Sequence, residues 1–326
     1  MSKKITVSKA IGEALHEEME QDEKVILMGE DIAVMGNVFG ITMGFMEKFG
    51  EHRVIDTPIS ECGFTGMAVG AAMRGIRPVV ELMYNDFATL AADPIINQAA
   101  KMRYMTGGQT CVPMVIRAPM GAGRRNAGQH SQCLENMFCH IPGLKVIAPA
   151  SAEDAKGLLK SAIRDDDPVI FFEHKLTYAK KEEIPEGEYT IPIGKAAIKR
   201  EGTDITIITW SRQVNFALEA AAALEQEGIS TEVLDLRTLV PLDWEAIAAS
   251  VSKTHRAIVL SEEVKRGSYA GELSAQISEE LFDELDAPVS RICGLNIVSP
   301  FSPALEDENF PHPDDIVRAV KRTLNV

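Results

Sequence analysis

The chain has 326 residues, enough for about two domains of roughly 150 residues each, and combines 45% hydrophobic with only 6% aromatic residues, the makeup of an aliphatic α/β interior. Its formal net charge of −15 excludes the basic face that nucleic acid or an anionic membrane demands. The start, MSKKITVSKAIGEAL, lacks a signal-peptide core, and no stretch approaches about 18 uninterrupted apolar residues, so a cytoplasmic protein with no membrane contact is expected. Five cysteines, Cys62, Cys111, Cys133, Cys139 and Cys293, contain no CxxC pair and fit reduced thiols.

Residues 6–20 place Ile11, Ala14, Leu15 and Met19 on one face of an amphipathic helix. KVILMGED reads as a buried strand ending at the acids Glu30 and Asp31. VIDTPISECGFTGMAVGAAMRG then runs from a β-branched start into a helix built almost wholly of Gly, Ala and Met, with Glu61 at its threshold. Ser60 is the expected N-cap, which puts Glu61 in the first turn, where the helix dipole favours an ionised acid. Glycine costs a helix about 1 kcal/mol relative to alanine, so Gly63, Gly66 and Gly70 need a reason. Close approach of another helix or of a ligand is one. A helix packed tightly on a sheet, with Glu61 as an ordinary first-turn acid, is the alternative.

RPVVELMYNDF, VPMVIRAPM and LKVIAPA are further short apolar runs, each followed by turn residues and a helical pattern, which predicts a mostly parallel sheet with helices on both faces. After VPMVIRAPM, Gly121-x-Gly123 resembles a dinucleotide fingerprint, but the third glycine, Gly128, falls two positions late and no acid ends the following strand. Arg124 and Arg125 read instead as a mobile basic loop that orders around an anionic ligand. QHSQCLENMFCH offers His130, Cys133, Cys139 and His140, yet on a helix Cys139 points opposite His130, and Cys133 and His140 lie about 10 Å apart along the axis. That layout does not converge on zinc. His130 alone is a candidate for proton transfer or substrate hydrogen bonding, a surface loop histidine being the other reading. Ser151 is the expected N-cap of SAEDAKGLLKSAIR, and Asp165, Asp166 and Asp167 follow at that helix's unfavourable C-terminal end, where either solvent or a bound monovalent cation offsets them.

Composition shifts in the Pro-, Gly- and charge-rich stretch that follows, and the expected organisation is a first domain over 1–185, a linker over 186–202 and a second domain over 203–326. In the second, DITIITW, STEVLDLRTL, RAIVLSE and PVSRICG read as strands, alternating with helices in RQVNFALEAAAALEQEG, DWEAIAASVSKT and ELSAQISEELFDEL. The acidic run from Glu279 to Asp286 is either a solvated helix face or a meeting place for a basic partner.

LMGED, RVIDTPISECGFTGMAVGAAMRGIRPVVELMYNDF, INQAAKMRYMTGG, AGQHSQ and HIPGLKVIAPASAEDAKGLLKSAIRDDDPVIFFEHK, in this order and spacing, resemble the β subunit of the thiamine-diphosphate-dependent E1 component of 2-oxo acid dehydrogenase complexes. VELMYNDF, VIRAPMGAG, EHKLTY and YTIPIGKA look closest to acetoin dehydrogenase β subunits, pyruvate and branched-chain enzymes being the alternatives and a non-catalytic scaffold relative a further one. The resemblance implies a pyrimidine-binding domain followed by a transketolase C-terminal-like domain. It also implies that Glu61 hydrogen-bonds N1′ of the cofactor's aminopyrimidine, favouring the imino tautomer that removes the thiazolium C2 proton. Burial of that acid, working against the helix N-terminus, favours a shared proton.

The same resemblance makes Glu30 a proton-relay acid and Phe87 the aromatic stacked on the pyrimidine. Ile59 and Met83 line the pocket, and His130 positions substrate or the lipoyl group. A potassium site is implied at Met114, Ala162, Asp165 and Asp167. No GDG motif for Mg²⁺ and diphosphate occurs. An E1 α subunit supplying them in an α2β2 heterotetramer is therefore implied, with the glycine-lined helix suited to subunit packing. An E2 dihydrolipoyl acyltransferase is the next partner, docked by the C-terminal domain, and acetoin or a 2-oxo acid is the donor.

Overall fold

The apolar runs of the first half become strands buried along most of their length, as a sheet covered on both faces requires. In the computed structural model, which describes residues 2–326, the chain divides into two compact units. The first comprises the chain up to Met120 together with Met137–Ile193. In chain order the elements of this half are β1 (Ser2–Thr6), α1 (Val7–Gln21), β2 (Val25–Gly29), α2 (Phe45–Phe49), β3 (Val54–Asp56), α3 (Glu61–Met73), β4 (Arg77–Glu81), α4 (Ala100–Met105), β5 (Val115–Met120), α5 (Glu135–Cys139), β6 (Lys145–Ile147), α6 (Ala152–Arg164), β7 (Val169–His174) and β8 (Lys181–Pro185).

The strands run parallel in the order β6-β7-β5-β4-β2-β3. Gly29 pairs with Asp56 on one side and with Glu81 on the other, so β2, β3 and β4 end level with one another. On one face α1 and α6 pack together over a core that includes Ile11, Leu15, Leu158, Leu159 and Phe171. Their caps explain where they start: Thr6 Oγ1 accepts the Lys9 N–H at 3.2 Å, and Ser151 Oγ accepts that of Asp154 at 3.1 Å. Antiparallel β1 and β8 join the two ends of the unit, Ser2 pairing with Pro185.

The second unit comprises Gly121–Asn136 and Gly194–Val326. Its elements are β9 (Ala197–Arg200), β10 (Ile205–Thr209), α7 (Gln213–Glu225), β11 (Thr231–Asp235), β12 (Thr238–Val240), α8 (Trp244–Thr254), β13 (Ala257–Val264), α9 (Tyr269–Glu280), β14 (Ser290–Gly294), α10 (Pro303–Asp307) and α11 (Pro313–Leu324). The five-stranded order is β14-β13-β10-β11-β9, parallel except for β9. Strand β9 lies in the charged stretch whose composition suggests a linker. It is an edge strand, where lysine and arginine reach water while the backbone still pairs. Among the described residues no helix is long and apolar enough to cross a membrane.

Candidate active site

Strand order dictates where the first unit gathers its chemistry. The chain leaves β2 toward β3 and leaves β4 toward β5, on opposite sides, so a crevice opens outside the carboxyl ends of β2 and β4. Glu30 follows β2 directly, Glu61 opens the helix after β3, and Met83 and Phe87 follow β4. Adjacent strands stand about 4.8 Å apart, which brings residues remote in sequence to one rim.

Glu30 and Glu61 are both buried, 8% and 5% exposed. Oε1 of Glu30 is enclosed and has no hydrogen-bond partner among the described residues. Burial, then the negative charges of Glu61 and Asp31, push the Glu30 carboxyl up to about 7. Ser60 precedes α3 but does not cap it with its side chain, contrary to the sequence expectation; its hydroxyl lies instead where a Cβ on Gly63 would stand, 2.7 Å from that position.

Phe87 is half-buried and meets Tyr84 edge-on, with ring centroids 6.1 Å apart. Met83 is half-buried beside it, whereas Ile59 is 83% exposed at the rim. The loop after β2 leaves Val34, Met35, Val38 and Met43 facing outward. It is nevertheless built, not slack: buried Asn37 accepts the N–H groups of Phe39 and Ile41 at 2.7 and 3.2 Å and donates to Glu81 at 3.0 Å.

Beneath the rim lies a group that sequence reasoning missed. Arg117, 1% exposed, donates from Nε and Nη2 to the two oxygens of Glu173 at 2.7 and 2.9 Å, and Nη1 bonds Glu81. The Tyr178 hydroxyl donates to Glu173 at 2.6 Å. Burial raises Glu81, with Arg117 opposing it. Its signal was legible: VVE, VIR and FFE each set one charge in an apolar strand, and a buried charge requires a partner.

His130 belongs to the second unit, half-buried on the segment that follows β5. That segment contains only a short 3-10 turn over Ala127–Gln129 before α5, so no helix follows Gly121-x-Gly123 and the 130–140 stretch is not one helix. Among the described residues no cluster of His, Cys, Asp and Glu is arranged to hold a metal ion, and the cysteines are free thiols. Within the basic loop Arg125 is already paired inside its own unit, bonding the carboxylates of Glu306 and Asp307 at 2.6 and 2.8 Å. A second buried acid pair stands nearby within the unit. Trp210 Nε1 donates to Glu135 at 3.0 Å, and the N–H groups of Asn136 and Tyr269 donate to Glu263 at 3.0 and 3.1 Å. Burial pushes Glu135 up to about 7; Glu263 is raised in the same direction, by burial and by the charge of Glu135.

At the end of α6 the three-aspartate turn is balanced from within the chain. Lys145 Nζ lies 2.7 Å from Asp165 and 3.3 Å from Asp167, Arg77 donates to Asp166 at 2.7 Å, and Arg103 pairs with Asp167. The carbonyls of Met114 and Ala162 accept the N–H groups of Val169 and Asp165 at 3.0 and 3.3 Å.

Comparison with known proteins adds ancestry to this geometry. Residues 3–181 match the family described as transketolase, pyrimidine binding domain, and residues 194–316 match transketolase, C-terminal domain. The β subunit of an acetoin:2,6-dichlorophenolindophenol oxidoreductase from Bacillus subtilis (strain 168) is 50% identical across 99% of this chain and 98% of its own. A mitochondrial pyruvate dehydrogenase E1 component subunit beta-2 from Oryza sativa subsp. japonica is 48% identical over 98% of this chain and 86% of that relative. The 2-oxoisovalerate dehydrogenase subunit beta of Bacillus subtilis (strain 168) is 47% identical over 96% of each. Among solved structures, a split-gene transketolase described as an inactive beta4 tetramer superposes with a TM-score of 0.80 at 24% identity, covering 98% of both chains, a likeness of fold.

Proposed function

Because this chain belongs to the E1 β-subunit family of the thiamine-diphosphate-dependent 2-oxo acid and acetoin dehydrogenases, we propose that it forms the pyrimidine-side half of such an active site. The observation that carries the reading is the paired acids at one strand rim: Glu61 buried at the start of α3, beside a Glu30 whose enclosed Oε1 lacks a protein donor. An orphaned acceptor of this kind costs free energy unless a ligand, water or a proton satisfies it. The residues therefore fit the aminopyrimidine of thiamine diphosphate.

When bound, the cofactor supplies a thiazolium carbon that adds to a carbonyl and accommodates the electron pair released when a carbon–carbon bond breaks. Glu61 offers a carboxyl oxygen to the ring nitrogen N1′. Glu30, pushed up to about 7, holds a proton near neutrality and releases it with little driving force either way. Phe87, Met83 and Ile59 provide the apolar surface that orients the ring and excludes water. His130 donates or accepts a hydrogen bond toward substrate or the lipoyl group. The diphosphate and its Mg²⁺ are assigned to an E1 α subunit in an α2β2 assembly, and an E2 dihydrolipoyl acyltransferase receives the acyl group, its docking served by the exposed acidic run around Phe282. A potassium ion on the carbonyls of Met114 and Ala162 and the carboxylates of Asp165 and Asp167 would have to displace Lys145. The assembly is placed in the cytoplasm, where free thiols persist.

Acetoin is the favoured donor, on the strength of the 50% identity to the acetoin enzyme's β subunit. The pyruvate and branched-chain readings rest on relatives at 48% and 47%. Reconstitution with the α subunit and assay with acetoin, pyruvate and a branched 2-oxo acid decides among them. A kcat/KM for acetoin at least ten-fold above the others supports the acetoin reading, and preference for either acid replaces it. No turnover with any donor, despite assembly, would favour the scaffold alternative.

A further inference from the structure

The segment Gly121–Asn136 is held by acids of its own unit. Glu262 accepts the Ala122 N–H at 2.7 Å, Glu306 accepts those of Gly123 and Arg125 at 2.9 and 3.1 Å, and Glu263 accepts that of Asn136 at 3.0 Å. Glu306 is fully buried and also accepts from Nη1 of Arg125 at 2.6 Å, while Asp307 accepts from Nη1 and Nη2 of the same guanidinium at 2.8 and 3.1 Å. Successive backbone N–H groups turned toward one point form a concavity suited to an anion. Here the chain fills it with its own carboxylate.

The backbone between this anchor and His130 is not in a relaxed conformation. Arg125 and Ala127 have φ values of +63° and +58°, a region that side chains other than glycine rarely adopt and that persists only where surroundings impose it. Gly128 lies close to the Val298 side chain, from which a Cβ there would stand 2.5 Å. A left-handed turn anchored by Glu306, in a segment closed by the Gly121 N–H donating to the Gln132 carbonyl at 3.0 Å, sets where the next residues point, and His130 is two positions beyond Gly128.

We propose that Glu306, through its grip on Gly123 and Arg125, is a positioning residue for His130. This rests on the reading of His130 as the group that meets substrate or the lipoyl arm. Glu306→Gln keeps the size of the side chain but turns one acceptor oxygen into a donor facing N–H groups.

The test uses the reconstituted α–β assembly and two readouts. The first is amide hydrogen exchange across 121–131. The second is the ratio of lipoyl acylation to turnover with a dichlorophenolindophenol-type dye, which global damage would lower in both terms alike. Glu306→Gln should speed exchange in 121–131 at least ten-fold, leave the rest of the second unit protected, and lower the ratio at least ten-fold. Arg125→Gln, at a part-exposed site, should lower the ratio at least three-fold even if the Glu306 variant does not fold. The double variant with His130→Ala should lose no more than His130→Ala alone, as expected for residues acting as one unit. An unchanged ratio in the Glu306 and Arg125 variants, or multiplicative loss in the double variant, overturns the proposal. An unchanged ratio in His130→Ala overturns the reading of His130 itself, and positioning then has no object.

Discussion

Glu30 and Glu61 place two carboxyls in one buried neighbourhood, and burial first, with the neighbouring negative charges second, governs how Glu30 titrates. Its carboxyl is raised from an ordinary 4.5 to about 7, so between those values the folded chain binds more protons than the unfolded one and stability falls as pH rises. Glu30→Gln should therefore match wild type in thermal midpoint below about pH 4.5, by the linkage relation, and exceed it increasingly up to pH 8. A constant difference at every pH would contradict the assignment. The charge beneath the rim behaves differently. Arg117→Met leaves Glu81 and Glu173 buried without their cation, a loss of about 3–5 kcal/mol in denaturant unfolding; a loss under 1 kcal/mol would mean that the three do not act as a buried ion group. Glu61 stood out in the sequence because three glycines in its helix demanded an explanation. The shift on Glu30 did not, since it arises from burial at the strand rim and then from the charges of Glu61 and Asp31, and the burial and the approach of Glu61 are tertiary features that no local pattern records.

Helix α3 gives its glycines two different meanings. Gly63 makes room for the Ser60 hydroxyl, while a Cβ on Gly66 or Gly70 would meet nothing within 4 Å. With Met67 63% exposed on the same side, this face has no partner among the described residues. Gly66→Ala and Gly70→Ala should each stabilise the isolated chain by about 1 kcal/mol, the propensity difference, and weaken assembly with the α subunit. Gains in stability with undiminished assembly would show that the face is not buried there. Helices and buried strands were legible from periodicity and caps. Ser60 misled because the rule for N-caps says nothing of a glycine three positions on that frees space for the hydroxyl. Strand β9 was hidden because an exposed edge strand tolerates charge. At the end of α6, potassium raising the thermal midpoint above that in equal sodium would support the cation site; equal midpoints would leave Lys145 as the counter-charge.

At the scale of the whole molecule, the sequence order of motifs carried the class of fold and of chemistry, and the transketolase matches over 3–181 and 194–316 agree with it. It did not carry the acids that hold Gly121–Asn136 within the second unit, because Glu262, Glu263 and Glu306 lie over a hundred residues away and look like ordinary surface charge in an acidic chain. The proposed division of labour with an α subunit predicts no turnover from this chain alone, whatever the thiamine diphosphate concentration. The most direct measurement is hydrogen–deuterium exchange at C2 of thiamine diphosphate bound to the reconstituted α–β assembly, with wild type and Glu61→Gln compared at equal cofactor occupancy. The role given to Glu61 predicts exchange at least about 10²-fold slower in the variant, the scale of a lost general acid–base contribution. Exchange at the wild-type rate would contradict it.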